Sequence, residues 1–183
     1  PHGKRGSKLE VLAEITRLRR FCCHPRLVFP DADVEGTKVT ALLDLATELR
    51  ENGHRALVFS QYVDFLTIVR EALDERGIAY EYLDGSTPEA SRQARVDAFQ
   101  DGTATLFLAT LKAGGFGVNL TAADYVIHLD PWWNPAVLAQ ATDRAHRIGQ
   151  SRPVTVYSLI TKHTIEEQIV ALHQKKQRLA DAV

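Results

Sequence analysis

Apolar residues recur at three-residue steps through Leu9, Leu12, Ile15, Leu18 and Phe21, which predicts an amphipathic helix over residues 7–23 with Ser7 as its N-cap. His24-Pro25 ends it, because the residue before a proline is pushed out of the helical region. Residues 37–52 repeat the helical spacing with Val39, Leu42, Leu43, Leu45 and Leu49, and Gly53 stands where a C-terminal cap is expected. The period then changes. Residues 55–60 (RALVFS) form the short continuous apolar run of a buried parallel strand. A helix over 63–76, a strand over 79–83 and a helix over 88–100 follow, the last opening on Pro88, where a missing donor does little harm. Two more strands are predicted over 105–109 and 125–129. Residues 153–159 alternate cleanly as a final strand, and a charged amphipathic helix over 164–180 would pack through Ile165, Ile169 and Leu172. Alternating β and α segments predict an α/β fold, a parallel sheet with right-handed crossovers flanked by helices, carrying N-terminal and C-terminal helical extensions. The polar, acidic run at 30–36 (PDADVEG) reads as a linker. It divides the chain into a helix and linker (1–36), a main domain (37–163) and a C-terminal helix (164–183).

A length of 183 residues with 45% hydrophobic content suffices for one well-cored domain. No run is long and apolar enough to span a bilayer, and the polar, basic start does not resemble a secretory signal. The expectation is an intracellular chain with no membrane partner. Cys22 and Cys23 are adjacent, so a strain-free bridge between them is not expected, and with no second ligand pair at metal-site spacing they read as buried thiols and not as a zinc cluster. The formal net charge of −1 hides an asymmetry: residues 1–30 hold seven Lys or Arg against two acids, leaving the remainder mildly acidic. Nucleic-acid binding would need a local patch.

The chemistry concentrates in residues 105–150, where two strand-like runs each deliver a polar, glycine-bearing or aromatic loop. Gly114-Gly115-Phe116-Gly117 offers backbone amides that can approach phosphate, helped by Thr110 and Lys112; turn glycines without a ligand are the alternative. Gln140, Arg144 and Arg147 stand at steps of four and three, which predicts one helical face. Planar guanidinium donors suit a transferring phosphoryl, although surface ion pairing is the commoner use of such arginines. No glycine-rich loop ending in Gly-Lys-Ser/Thr occurs, and no strand ends in paired magnesium-binding acids. If the chain acts on ATP, it supplies half of a site.

The run Ala109-Thr110-Leu111-Lys112-Ala113-Gly114-Gly115-Phe116-Gly117-Val118-Asn119-Leu120, the Ala123-Asp124 pair, Trp133-Asn134-Pro135 and residues 140–150 (QATDRAHRIGQ) closely resemble helicase motifs V and VI of Swi/Snf-type DNA-dependent ATPases, in the style of bacterial members. Val58-Phe59-Ser60-Gln61 resembles motif IV. Asp84-Gly85-Ser86-Thr87, followed by Arg92 and Phe99, resembles the motif after it, and residues 17–26 resemble the link that leaves the first lobe. The resemblance covers residues 37–170 in order.

It implies a RecA-like second lobe. By resemblance, Arg144 and Arg147 are arginine fingers with Gln140 beside them, Gly115, Gly117 and Asn119 line the lobe interface near nucleotide, and Gln61, Ser86, Thr87, Thr110, Lys112 and Trp133 face DNA. Lys112 stands where the family has arginine, keeping the charge but losing the bidentate fork. Trp132 is expected to pack, leaving Trp133 for contact. ATP and magnesium would be bound mainly by a first lobe, with none expected on this lobe alone and no metal site in it. The implied partners are that first lobe and double-stranded DNA, and the implied location is the bacterial cytoplasm, at the nucleoid. Two rivals stay open: a non-catalytic RecA-like scaffold, and the lobe of a strand-separating or RNA helicase.

Overall fold

The computed structural model describes residues 8–111, 120–145 and 152–180. Its centre is β1 (Ala56–Ser60), buried along its whole length as a strand covered on both faces requires. With β2 (Tyr80–Leu83), β3 (Leu106–Thr110), β4 (Tyr125–His128) and β5 (Thr155–Ser158) it forms a sheet of order β2-β3-β1-β4-β5 in which every pair is parallel. Among the described residues the helices are α1 (Lys8–Cys23), α2 (Thr37–Glu51), α3 (Val63–Glu75), α4 (Glu89–Asp101), α5 (Pro135–Thr142) and α6 (Ile165–Ala180). This is a RecA-like arrangement of a parallel sheet between helical layers.

The period-2 alternation of the strands sorts the core into two halves. Val58, Leu106, Leu108 and Ile127 point to one face, where α2 and α3 cover them with Leu42, Ala46, Phe65, Leu66 and Val69. Leu57, Phe59, Phe107 and Val126 point to the other, against Val96 and Phe99 of α4 and Ala141 of α5. α2 ends as its sequence predicts: Asn52 closes it and Gly53 adopts φ 71°, a left-handed turn that glycine takes without steric cost.

The structure corrects several expectations. The apolar stripe of α1 is not buried: Leu9 is 78% exposed, and Leu12, Leu18 and Phe21 are also exposed, while Arg19 and Cys23 occupy the covered side. β5 alternates in sequence but is exposed at every residue, so neither of its faces is covered, unlike β2, the other edge strand, which is half-buried. α5 stops at Thr142, so no single helix carries Gln140 and Arg144 as the spacing predicts; Gln140 is exposed on the helix and Arg144 is buried in the turn beyond it. In α6, Ile169 is buried as expected and Leu172 is exposed. Of the two thiols expected to be buried, Cys23 is, and burial pushes it well above the usual range, whereas Cys22 is only half-buried.

Because all the strands run in parallel, their carboxyl ends share one edge of the sheet, the place where open α/β sheets meet ligands. Along that edge, in spatial order, lie the loops that follow β2, β3, β1 and β4.

Candidate functional site

The loop after β4 is held from several directions at once. Lys38 Nζ, on the first turn of α2, donates to the Leu129 carbonyl at 2.7 Å and pairs at the same distance with both carboxylate oxygens of Glu166, at the start of α6. Asp130 is buried between β1 and β4. Ser60 Oγ donates to its Oδ1, and Gln61 Nε2 donates to its Oδ2 at 2.6 Å. Burial pushes the Asp130 carboxyl above the ordinary carboxylate range, and the Ser60 and Gln61 hydrogen bonds pull it part of the way back. Arg19, from α1, donates to the Pro131 carbonyl at 2.9 Å, and its guanidinium lies 5.0 Å from the centre of the Trp133 ring. Trp132 is half-buried against the second core cluster, while Trp133 is 41% exposed. Trp132 thus packs as expected, and Trp133 keeps an exposed edge. Asn134 then caps α5, its side chain accepting from Ala136 N at 3.1 Å.

The loop after β2 is organised by a carboxylate. Asp84 Oδ1 accepts from Ser86 N at 2.8 Å, Ser86 Oγ at 2.6 Å, Thr87 N at 3.1 Å and Thr87 Oγ1 at 3.3 Å, and Oδ2 accepts from Tyr82 Oη at 2.7 Å. Burial works to raise the Asp84 carboxyl, but the hydrogen bonds from Ser86, Tyr82 and Thr87 outweigh it and hold the group below its usual value. Both candidate DNA-facing hydroxyls therefore already donate inward. Arg92 Nε fixes the turn further by donating to the Thr87 carbonyl at 2.9 Å.

Arg144 is buried, and its turn is tied to the chain that returns from β3: Leu120 N donates to the Arg144 carbonyl at 3.2 Å. The end of α5 rests on His128. Thr142 Oγ1 donates to the Leu138 carbonyl at 3.0 Å, so the contact of 3.2 Å to His128 Nε2 is one in which the imidazole donates. His128 Nδ1 is buried without a partner, and burial pushes the imidazole down to about 4. Its ring stacks on Phe59 at 5.9 Å.

The sequence-predicted residues thus fall into groups. Ser86, Thr87, Thr110, Gln61 and Trp133 share the carboxyl edge, with Ser86 and Trp133 exposed, Thr87 and Gln61 half-buried and Thr110 buried. Gln61 spends its amide on Asp130, which local sequence does not reveal. Lys112, Gly115, Gly117, Asn119 and Arg147 lie outside the described residues. Sequence reasoning missed Arg19, Lys38 and His128. No local signal marks the two cations, because an arginine in a helix and a lysine in a helix's first turn are each usually solvated. Among the described residues no group of three His, Cys, Asp or Glu is placed to hold a metal ion, and no described helix is long and apolar enough to cross a membrane.

Residues 37–149 match the helicase conserved C-terminal domain family. The chain is 40% identical over 182 residues to YwqA of Bacillus subtilis, whose name gives it provisionally as an ATP-dependent helicase/translocase, covering 96% of this chain and 20% of that protein. It is 40% identical over 189 residues to the mouse SWI/SNF-related matrix-associated actin-dependent regulator of chromatin subfamily A member 1, covering 96% of this chain and 18% of that protein. Among solved structures, the C-terminal part of the Fun30 ATPase domain superposes with a TM-score of 0.73 at 33% identity, over 92% of this chain and 59% of that one. The chain spans about a fifth of the length of these curated relatives. With the motif order, the parallel sheet and these matches in agreement, the chain belongs to the helicase conserved C-terminal domain family, in its Swi/Snf-type branch.

Proposed function

We propose that this chain is the second motor lobe of an ATP-driven double-stranded DNA translocase or remodeller, whose ATP turnover requires a first RecA-like lobe. The observation that carries the reading is the hydrogen bond from Leu120 N to the Arg144 carbonyl, which ties the arginine turn to the segment that returns from the glycine-bearing stretch after β3. Amides that approach phosphate and cations that offset its charge are the two things a phosphoryl-transfer site needs from this side. Arg144 and Arg147 serve as the fingers, with Gln140 beside them. Because Arg144 is buried, its contact with nucleotide requires the turn to open as the lobes close. Gly115, Gly117 and Asn119 line the lobe interface.

Amides and cations on this side suit phosphate oxygens, and the two carboxylates of the edge, Asp84 and Asp130, are engaged by neighbouring donors, so the magnesium-binding acids are assigned to the first lobe. When bound, ATP supplies the anhydride bond whose hydrolysis powers closing and opening. Thr110, Lys112 and Trp133 track the duplex without reading bases, and Ser86 and Thr87 join them only by turning their hydroxyls away from Asp84, since hydroxyls, amides and a cation position a phosphate backbone but carry no sequence information. Gln61 acts by holding the Trp133 loop through Asp130. The protein acts in the bacterial cytoplasm, at the nucleoid.

The burial of Arg144 favours a second reading, a scaffold lobe whose arginines only brace the fold. ATP hydrolysis by the protein carrying both lobes, measured with and without duplex DNA, separates the two. Strong DNA stimulation supports the motor, and turnover indifferent to DNA supports the scaffold. A strand-displacement assay run alongside checks translocation: efficient unwinding of long duplexes overturns it in favour of a strand-separating helicase.

A further inference from the structure

We infer that Arg19 of α1 is a positioning residue for Trp133, holding the indole where it meets DNA; the inference rests on the DNA reading of that loop. Arg19 is 6% exposed, yet no carboxylate among the described residues pairs with it. A buried guanidinium is costly unless its donors are used. Its hydrogen bond goes to the Pro131 carbonyl at 2.9 Å, 112 residues away, and its plane serves the Trp133 ring at 5.0 Å. A packing arginine would bury its stem and send its head to water. This one sends its head inward, to the backbone and the ring of one loop. Trp133 itself remains 41% exposed, so the contact orients the indole and leaves an edge of it available. Since α1 supplies the arginine and the loop after β4 the tryptophan, a shift of α1 is transmitted directly to that loop.

The test begins on the chain itself. Trp132→Phe leaves Trp133 as its sole tryptophan, a fluorescent reporter of the loop. In that background Arg19→Ala lowers the anisotropy of Trp133 and increases its quenching by acrylamide. Arg19→Lys recovers only part of the loss, because an ammonium does not span both the carbonyl and the ring. If Arg19→Ala fails to fold, Arg19→Met, which refills the stem volume, carries the same expectation.

The second arm measures the duplex DNA concentration that half-saturates ATPase stimulation of the two-lobed protein. Arg19→Ala raises it about fivefold to tenfold, the scale of a partly desolvated cation–π contact, and adds nothing in a Trp133→Ala background. Unchanged fluorescence, or an Arg19 effect that persists without Trp133, overturns the inference. If Trp133→Ala leaves the DNA dependence untouched, the DNA reading of the loop fails first and the role of Arg19 falls with it.

Discussion

Lys38 and Glu166, 128 residues apart, meet as a buried ion pair in which Nζ lies 2.7 Å from both carboxylate oxygens, with the side chains 5% and 1% exposed. The pair joins the first turn of α2 to the first turn of α6, and Lys38 uses a further proton on the Leu129 carbonyl. Glu166 in turn accepts from Thr161 N at 2.8 Å, so the strap that leads from β5 into α6 is fastened by the same carboxylate. The desolvation cost of two such charges is offset only while both are present.

Removing one partner therefore strands the other. Glu166→Ala is expected to cost about 3–5 kcal/mol, the range for breaking a buried pair, read as a drop in the thermal midpoint of roughly 10 °C for a chain of this size. Lys38→Met combined with Glu166→Leu should be milder than the two single effects added, because no unpaired charge remains; the Leu129 carbonyl still loses its donor. Calorimetry of the four proteins in this cycle checks the expectation. Additive effects would show that the two residues act separately.

His128 gives the fold a pH dependence with a definite sign. Its imidazole is pushed down to about 4 by burial, against an ordinary value of about 6.5 in the unfolded chain. Between these values the unfolded chain takes up a proton that the folded chain refuses, so this contribution is complete above about pH 6.5 and is lost as the pH falls toward 4. The excess slope is at most about 1.4 kcal/mol per pH unit in that window. Thermal midpoints of wild type and His128→Phe should converge or cross as the pH drops from 7 to 4.5. Parallel curves would mean that the imidazole does not resist protonation.

Much of this architecture was readable from local pattern. The run 55–60 predicted a strand covered on both faces, and Ala56–Ser60 is buried throughout; Gly53 predicted a left-handed turn and adopts one. Local spacing failed where the outcome depended on distant chain. Gln61 looks like a free polar residue after a strand, but its partner Asp130 arrives 69 residues later, when β4 pairs with β1. Residues 140–144 look like one helical face, yet α5 ends at Thr142, where the side chain turns back to the Leu138 carbonyl and meets His128. The alternation of β5 predicts a covered face, yet all four of its residues are exposed, because covering a face takes a distant helix that local alternation does not specify. Of the candidate site, position along the carboxyl edge was legible, because strand order in a parallel sheet puts every loop there. Which side chains were already spent on one another was not.

Gly36 marks a close approach that composition hides. A Cβ built there would overlap the ring of His24, which is buried and caps the short 3-10 turn Pro25–Leu27 by accepting from Arg26 N at 3.1 Å. The backbone of Gly36 is ordinary, so the objection to a side chain is space and not conformation. Gly36→Ala should cost about 1–3 kcal/mol by overpacking, and His24→Ala in the same chain should relieve part of it. Chemical denaturation curves for both variants and their combination decide whether the two positions share that space.

The sharpest functional expectation falls on Arg147. In a two-lobed motor, Arg147→Ala should lower DNA-stimulated ATP turnover by roughly a thousandfold or more, the scale of a missing arginine finger, while ATP binding is kept because the first lobe holds the nucleotide. Gln140→Ala, on the exposed side of α5, should have a smaller effect, since a neutral amide offsets no developing charge. Steady-state turnover paired with nucleotide-binding titrations separates loss of chemistry from loss of affinity. Turnover that survives in Arg147→Ala would assign the arginines to bracing the turn after α5, in keeping with the burial of Arg144, and would return the lobe to the scaffold reading.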